Sequence, residues 1–145
     1  MDRRFTHEVR VRWRDTDTAS EVFYPNYFAF VTDAETEFFR SRGLPQQELI
    51  RRCGIYLPRV TVHASFRART HWDDLLQVAI WVEELAEKRY KLGFEITRQA
   101  TGELVSDGYI VNVCVDAEKR KSRPIPAEIR DILQPLCRPH AVRAS

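Results

Sequence analysis

The 145-residue sequence lacks any apolar run near the length of about 18 residues that a membrane-spanning helix needs. Its first ten residues, MDRRFTHEVR, also lack the apolar core of a signal peptide. Its three cysteines, Cys53, Cys114 and Cys137, form no C-x-x-C pair, which indicates neither a disulfide framework nor a zinc site. A net charge of +2 is too small to indicate a nucleic-acid partner. These absences predict a cytoplasmic protein without membrane, metal or nucleic-acid partners.

The composition is that of a globular protein, because 43% of the residues are hydrophobic and 30% are charged. The length suits one domain with one core, and we expect residues 1–145 to form it.

Five segments alternate between apolar and polar side chains with the period of two that is typical of half-buried strands. They cover residues 5–13, 60–69, 75–85, 88–98 and 103–115. In the last segment, one face is predicted to carry Val105, Tyr109, Val111, Val113 and Val115. The last four segments are joined by short turns, which favours antiparallel pairing, since parallel pairs need long crossovers.

Residues 25–42 have helical periodicity, with a broad apolar arc that includes Tyr27, Phe30 and Phe38. Pro25 is suited to the first turn of a helix, and Gly43 is suited to the position just after its C-terminal end. A second helix is predicted over residues 127–137. Wrapping a five-stranded antiparallel sheet around the long helix buries both apolar faces, which predicts an α+β fold. Such a sheet has free edges, so we expect a homodimer, with a tetramer left open.

The stretch from Arg14 to Tyr27, RDTDTASEVFYPNY, carries a spaced motif. Asp17, Val22 and Tyr27 fit the pattern Asp, two residues, Gly, one residue, Val or Ile, four residues, Tyr, in which Ser20 replaces the glycine. Further matches follow in order: Ala34, Thr36 and Glu37 on the helix, then Asp73, Asp74 and Leu76, then the segment KRKSRPIP. Over residues 5–126, the sequence resembles the hotdog-fold acyl-CoA thioesterases of the 4-hydroxybenzoyl-CoA thioesterase family. Besides Ser20, it departs from them at Thr32, where an acidic residue is frequent.

The resemblance implies thioester hydrolysis, with Asp17 as nucleophile or general base. It also implies that the backbone N–H of Tyr24, at the start of the helix, stabilises the oxyanion. Chemistry agrees, because a carboxylate can attack a carbonyl or activate water, and helix N-termini offer unpaired N–H groups. The acyl pocket is expected to be formed by Val22, Phe23, Tyr24 and Tyr27.

Coenzyme A is then part of the substrate, and no separate cofactor is expected. Basic side chains would hold its phosphates by charge-assisted hydrogen bonds. Two clusters qualify, on a strand and just after the last strand: Arg89 and Lys91, and Lys119, Arg120, Lys121 and Arg123.

Several alternatives stay open at this point. Asp15 is a second candidate, for positioning. Glu35 falls inside the apolar arc of the helix, either as a salt-bridge partner or as a second acid near the pocket. His63 and Arg67 are either surface residues or line the site of a partner subunit. The alternative functions are a non-catalytic acyl-CoA-binding hotdog module and a hotdog dehydratase, although the loop before the helix contains no histidine.

Overall fold

The computed structural model describes residues 3–143 and contains one long helix, one short helix and seven strands. The main sheet is antiparallel, in the order β1-β4-β5-β6-β3, and a second sheet pairs β2 with β7. The elements are β1 (Phe5–Arg10), α1 (Asn26–Ser41), β2 (Ile55–Tyr56), β3 (Arg59–Phe66), β4 (Leu75–Leu85), β5 (Arg89–Arg98), β6 (Leu104–Val113), β7 (Val115–Asp116) and α2 (Ala127–Leu133). None of the helices between Arg3 and Arg143 is long and apolar enough to cross a membrane.

Helix α1 begins directly after Pro25 and ends one residue before Arg42, as its sequence signals predict. Gly43 follows with a φ of 83°, a left-handed conformation that glycine adopts without a steric penalty. The apolar arc of α1 is buried, and it packs against β1 and β4. The helix therefore lies against the sheet, and side chains from it also reach β3, β5 and β6.

The inner face of the sheet is covered unevenly. In the interior strand β4, Leu76, Val78 and Ile80 are fully buried. In the edge strand β3, Val62 also belongs to the inner face, because its register partner is the buried Ile110, yet it is 48% exposed. No strand among residues 3–143 pairs with the outer edge of β3. The structure thus leaves a partly apolar edge uncovered.

The structure corrects the predicted ends of two elements and adds a small sheet. Strand β1 ends at Arg10, and Trp13 lies in a short helical turn (Trp13–Asp15). Helix α2 ends at Leu133, where a 3-10 turn (Gln134–Leu136) takes over. The small sheet of β2 and β7 was not predicted, because two-residue strands carry no periodicity.

The predicted face of β6 is corrected at one residue. An irregularity in the pairing of β6 with β5 leaves Val105 without a register partner, and Val105 is buried in the core. Tyr109, Val111 and Val113 share one face as predicted, and it is opposite to the buried Ile110 and Asn112. A β-bulge inverts the alternation without leaving a trace in the apolar pattern.

Candidate active site

Asp17 lies in a tight turn just before α1. Its backbone N–H donates to the Glu21 carbonyl at 2.8 Å, and its carbonyl accepts the Ser20 N–H at 3.0 Å. The side-chain oxygen Oδ1 accepts the N–H of Ala19 at 2.8 Å. The other oxygen, Oδ2, makes no hydrogen bond within residues 3–143. The turn therefore fixes the carboxylate and leaves one of its oxygens available, and the side chain is exposed.

Ser20 occupies the position at which the motif has glycine, and its φ is 62°. The left-handed conformation that glycine would take without a penalty is thus kept by serine. This backbone angle is one that a glycine at the same position could also adopt.

The start of α1 is held by the main chain of Asp15, whose carbonyl accepts the Phe23 N–H at 2.8 Å and the Asn26 Nδ2 at 2.9 Å. The Asp15 carboxylate turns away and accepts the Arg12 N–H at 2.8 Å. The Tyr24 N–H makes no hydrogen bond to any residue from 3 to 143. A free N–H at a helix start is suited to a developing negative charge.

A cavity of about 410 Å³ brings Asp17, Val22, Tyr24 and Tyr27 together. The aromatic side chains form one wall, in which the Phe66 ring lies 6.1 Å from that of Tyr24 and 5.5 Å from that of Tyr27. Four of the predicted site residues therefore surround one space.

The cavity floor is polar where the Tyr27 hydroxyl and the Thr70 hydroxyl lie 2.7 Å apart. Burial of the Tyr27 ring raises the pKa of its phenol above the usual value, although the bond to Thr70 opposes this. Tyr27 is therefore a neutral hydroxyl at physiological pH. At the rim, Arg69 and Glu21 form a loose ion pair at 3.5 Å.

The other predicted binding residues lie elsewhere in the protomer. Phe23 is exposed and contacts Tyr24, at 5.4 Å between ring centroids, but does not line the cavity. Lys91 is on the outer face of the sheet, 4.1 Å above the Tyr109 ring. Arg89 pairs with Glu84 at 3.2 Å.

The basic cluster after β6 is separated from Asp17 by the length of the sheet. Lys119, Arg120 and Lys121 are exposed in the turn after β7, and Arg123 pairs with Asp116 at 3.4 Å. Phe66, in the cavity wall, pairs with Ser106, whereas Arg89 pairs with Val113 at the far end of β6. Seven residues of strand separate these points, which is about 23 Å. One protomer thus places the two groups at opposite ends.

Glu35 is buried and lies outside the cavity. Its carboxylate accepts four bonds, from Arg59 at 2.8 Å, the Tyr90 hydroxyl at 2.9 Å, and the amides of Gln46 and Asn112 at 3.2 Å each. The salt-bridge alternative is confirmed for Glu35, and the partner is the first residue of β3.

The sequence reasoning missed five cavity residues, namely Glu21, Phe66, Ala68, Arg69 and Thr70, and left Arg67 undecided. Four of them lie at the end of β3 or just after it. Nothing in the local pattern distinguishes them, because only the packing of this strand end against the Asp17 turn makes them neighbours. Arg67, considered as a residue that could serve a partner subunit, lines the cavity of its own protomer.

Comparison with known proteins shows to which family the chain belongs. A model of the thioesterase-like superfamily matches residues 11–133. The chain belongs to this superfamily. Among its relatives, the 4-hydroxybenzoyl-CoA thioesterase of Pseudomonas sp. (strain CBS-3) is 28% identical over 135 residues, covering 88% of this chain and 96% of the relative. The 1,4-dihydroxy-2-naphthoyl-CoA hydrolase of Synechocystis sp. is 27% identical over 122 residues, covering 84% and 88%.

Solved structures of this superfamily share the fold. A 1,4-dihydroxy-2-naphthoyl-CoA thioesterase from Synechocystis superposes with a TM-score of 0.85 at 25% identity, covering 90% of this chain and 96% of the other. An aspartate-to-asparagine variant of 4-hydroxybenzoyl-CoA thioesterase, in complex with 4-hydroxybenzoyl-CoA, superposes with a TM-score of 0.80 at 26% identity, covering 90% and 99%. The predicted hotdog fold, family and enzyme class are thereby confirmed, while the roles of individual residues stay predictions.

Proposed function

We propose that this protein hydrolyses an acyl-CoA thioester to the free acid and coenzyme A at the Asp17 cavity. The observation that carries the proposal is the pair of unengaged groups around this cavity: one carboxylate oxygen of Asp17 and the N–H of Tyr24. The first can act as base or nucleophile, and the second can stabilise negative charge. The named activities of the relatives support the same reaction class.

Two routes use these groups. In the first, Asp17 accepts a proton from water as the water oxygen bonds to the thioester carbon, and Tyr24 N–H binds the oxyanion. The carbon–sulfur bond then breaks, and the thiolate of coenzyme A leaves and is protonated. In the second, Asp17 attacks the carbon directly, the thiolate leaves, and water hydrolyses the resulting anhydride.

The size and lining of the cavity suggest the acyl class. Tyr24, Tyr27 and Phe66 provide ring faces for offset or edge-on contacts with an aromatic acyl group. A volume of about 410 Å³ suits an aromatic or short acyl group and part of the pantetheine arm. The aryl-CoA substrates in the names of several relatives agree with this size.

A homodimer formed through β3 would bring the two ends of the sheet together. Strand β3 has a free edge, and its exposed apolar side chains Val60 and Val62 would be buried by a second copy. Antiparallel pairing of β3 with itself places the Arg59 end of one subunit beside the Phe66 end of the other. The basic turn at residues 119–123 of one subunit then approaches the Asp17 cavity of its partner, where it can hold the phosphates of coenzyme A.

The substitution Asp17→Asn tests the role of the carboxylate. Asparagine keeps the side-chain shape and an acceptor for the Ala19 N–H, but it can neither take a proton nor attack as a carboxylate. We expect kcat with benzoyl-CoA to fall at least about 100-fold, measured as release of free thiol.

The matched control is Asp15→Asn, which makes the same chemical change two residues away on a carboxylate that contacts only the Arg12 N–H among residues 3–143. Its kcat should stay within about twofold of the wild type. Normal turnover by Asp17→Asn would refute the mechanism. Tight binding of acyl-CoA by the wild type without thiol release would establish a binding module instead.

A further inference from the structure

A second cavity of about 300 Å³ lies between α1 and the start of β3, lined by Thr32, Glu35, Gln46, Leu49, Leu57, Pro58 and Arg59. Within one protomer it is at the opposite end of β3 from Phe66, which borders the Asp17 cavity. From Arg59 to Phe66, β3 rises over seven residue steps, which is about 23 Å. Neither of the two hydrolysis routes at the Asp17 cavity uses a residue of this second cavity.

Arg59 is the cationic residue that lines the second cavity, and hydrogen bonds hold it in a fixed position. One nitrogen, Nη1, donates to Glu35 at 2.8 Å and to the Asn112 side-chain oxygen at 2.7 Å, and Nη2 donates to the Thr32 hydroxyl at 2.9 Å. A guanidinium has five N–H donors, so two of them have no partner within residues 3–143. The side chain lines the cavity and is 26% exposed, so a bound group can contact it.

The two-fold pairing of β3 proposed above brings this cavity to the reaction centre of the other subunit. With the axis near the middle of β3, Arg59 lies across the seam from Phe66 of the partner subunit. Both side chains face the helix side of the sheet, because Arg59 bonds to α1 and Phe66 packs on Tyr27. An acyl group bound at Asp17 would therefore point along Phe66 towards Arg59 of the partner subunit.

We propose that Arg59 is a specificity-determining residue that selects acyl groups with a neutral oxygen acceptor, a hydroxyl or carbonyl, at the end far from the thioester. This inference rests on the proposed function and on the β3 dimer. A purely hydrocarbon end would desolvate two N–H donors without replacing their hydrogen bonds to water, which is costly. An oxygen acceptor would satisfy them.

The charges around Arg59 disfavour an acidic acyl end. The guanidinium is already neutralised by the buried Glu35. A further carboxylate would add net negative charge to the same region, close to Asp17 of the partner subunit, and such like charges destabilise one another. The ion pair therefore favours a neutral acceptor over an anionic one.

The substitution Arg59→Lys tests the proposal while keeping a cation beside Glu35. An ammonium has three N–H donors, as many as the existing partners Glu35, Asn112 and Thr32 require, so none is left for the substrate. The probes are 4-hydroxybenzoyl-CoA, 4-methylbenzoyl-CoA and 4-carboxybenzoyl-CoA, which differ only at the far end of the ring.

We expect the wild type to have the highest kcat/KM for the hydroxyl compound and the lowest for the carboxylate. In Arg59→Lys, the hydroxyl-to-methyl ratio should fall about tenfold. The control Arg52→Lys changes an ion-paired arginine that lines neither cavity and should leave the ratio unchanged. Thermal unfolding of both variants shows whether they are folded.

A mixed dimer tests which subunit Arg59 serves. One subunit carries Asp17→Asn and the other Arg59→Lys, and two different affinity tags allow the mixed dimer to be purified. If Arg59 serves the partner's site, the one active site in this dimer has both Asp17 and Arg59, and its hydroxyl-to-methyl ratio is that of the wild type. A ratio equal to that of Arg59→Lys would show that Arg59 acts within its own subunit and would overturn the proposal.

The remaining outcomes separate the two proposals. If Arg59→Lys is folded and active with an unchanged ratio, or if the wild type prefers the methyl or carboxylate compound, the specificity proposal is wrong and the hydrolase proposal stands. If the wild type releases no thiol from any of the three thioesters or from short aliphatic acyl-CoAs, both are wrong.

Discussion

Ser20 has a φ of 62°, a conformation that residues other than glycine seldom adopt. The contact between Cβ and the following carbonyl oxygen costs about 1–2 kcal/mol there. The turn keeps this conformation because its two hydrogen bonds, from Asp17 N–H to Glu21 and from Ser20 N–H to Asp17, close the loop around it. Strain is thus present directly beside the candidate catalytic carboxylate.

We expect Ser20→Gly to stabilise the protein by up to about 1 kcal/mol. Relief of about 1–2 kcal/mol of strain is partly offset by about 0.5–1 kcal/mol of extra backbone entropy in the unfolded chain. Urea unfolding measures the difference. The neighbouring substitution Ala19→Gly has the same entropic cost in the unfolded chain but relieves no strain, because φ is not positive at Ala19. A loss of stability in Ser20→Gly as large as that in Ala19→Gly would show that Ser20 is not strained.

Helix α1 is joined to the sheet by a polar network as well as by its apolar arc. Glu35 projects from the buried face of the helix and reaches three strands through Arg59, Tyr90 and Asn112. Breaking such a network by removing one member is costly, because the remaining groups stay buried without a partner.

We expect Tyr90→Phe to lower the free energy of unfolding by about 1–3 kcal/mol, since it removes one donor from the buried Glu35 carboxylate. Burial and the neighbouring Glu35 raise the pKa of the Tyr90 phenol well above its usual value of 10.0. Above about pH 10 the phenol ionises more readily in the unfolded chain, so the wild type should lose stability as the pH rises. Urea unfolding between pH 7 and 11 measures both effects.

The control for this substitution is Tyr56→Phe, whose hydroxyl has no partner within residues 3–143 and whose ring is partly exposed. Its stability should change by less than about 0.5 kcal/mol. Equal stability of Tyr90→Phe and the wild type at pH 7 would show that the network does not need the phenol.

At the scale of elements, the sequence predicted most of the fold because each element carries its own periodicity. The strand over residues 75–85 and the helix over residues 25–42 lie where alternation and the Pro25 and Gly43 signals predict them. The burial of Val105 in β6 could not be predicted, since a bulge is a feature of pairing and not of one strand.

The residues of the candidate site could likewise be predicted only where their signal is local in the sequence. Asp17 and Tyr24 were found because the motif is local in the sequence. Arg69 and Thr70 reach the cavity only because a distant strand end packs there. The helix pattern marked the buried Glu35 as unusual, but it could not identify Arg59 as its hydrogen-bond partner.

At the scale of the whole molecule, strand β4 is buried, whereas the edge strand β3 is uncovered, and this contrast bears on association with another chain. Val60 and Val62 are 59% and 48% exposed on the edge of a sheet whose centre is closed. Exposed apolar residues on a free edge favour association with another chain.

We expect the wild type to have about twice the 17.1 kDa mass of one chain in size-exclusion chromatography with light scattering. Val62→Lys should give a monomer, because pairing through β3 would bury charge in an apolar seam. The control Thr61→Lys puts the same charge on the same strand, facing the outer side of the sheet, and should remain dimeric. A dimeric Val62→Lys, or a monomeric wild type, would contradict association through β3.

Dimerisation through the uncovered strand β3 would also make the rate of catalysis depend on the protein concentration. Monomers and dimers exchange by mass action. If only the dimer completes the site, the turnover per chain falls as the protein is diluted, and at very low concentration the total rate follows the square of the chain concentration. The amount of protein that a cell makes would then regulate this enzyme in the absence of any effector.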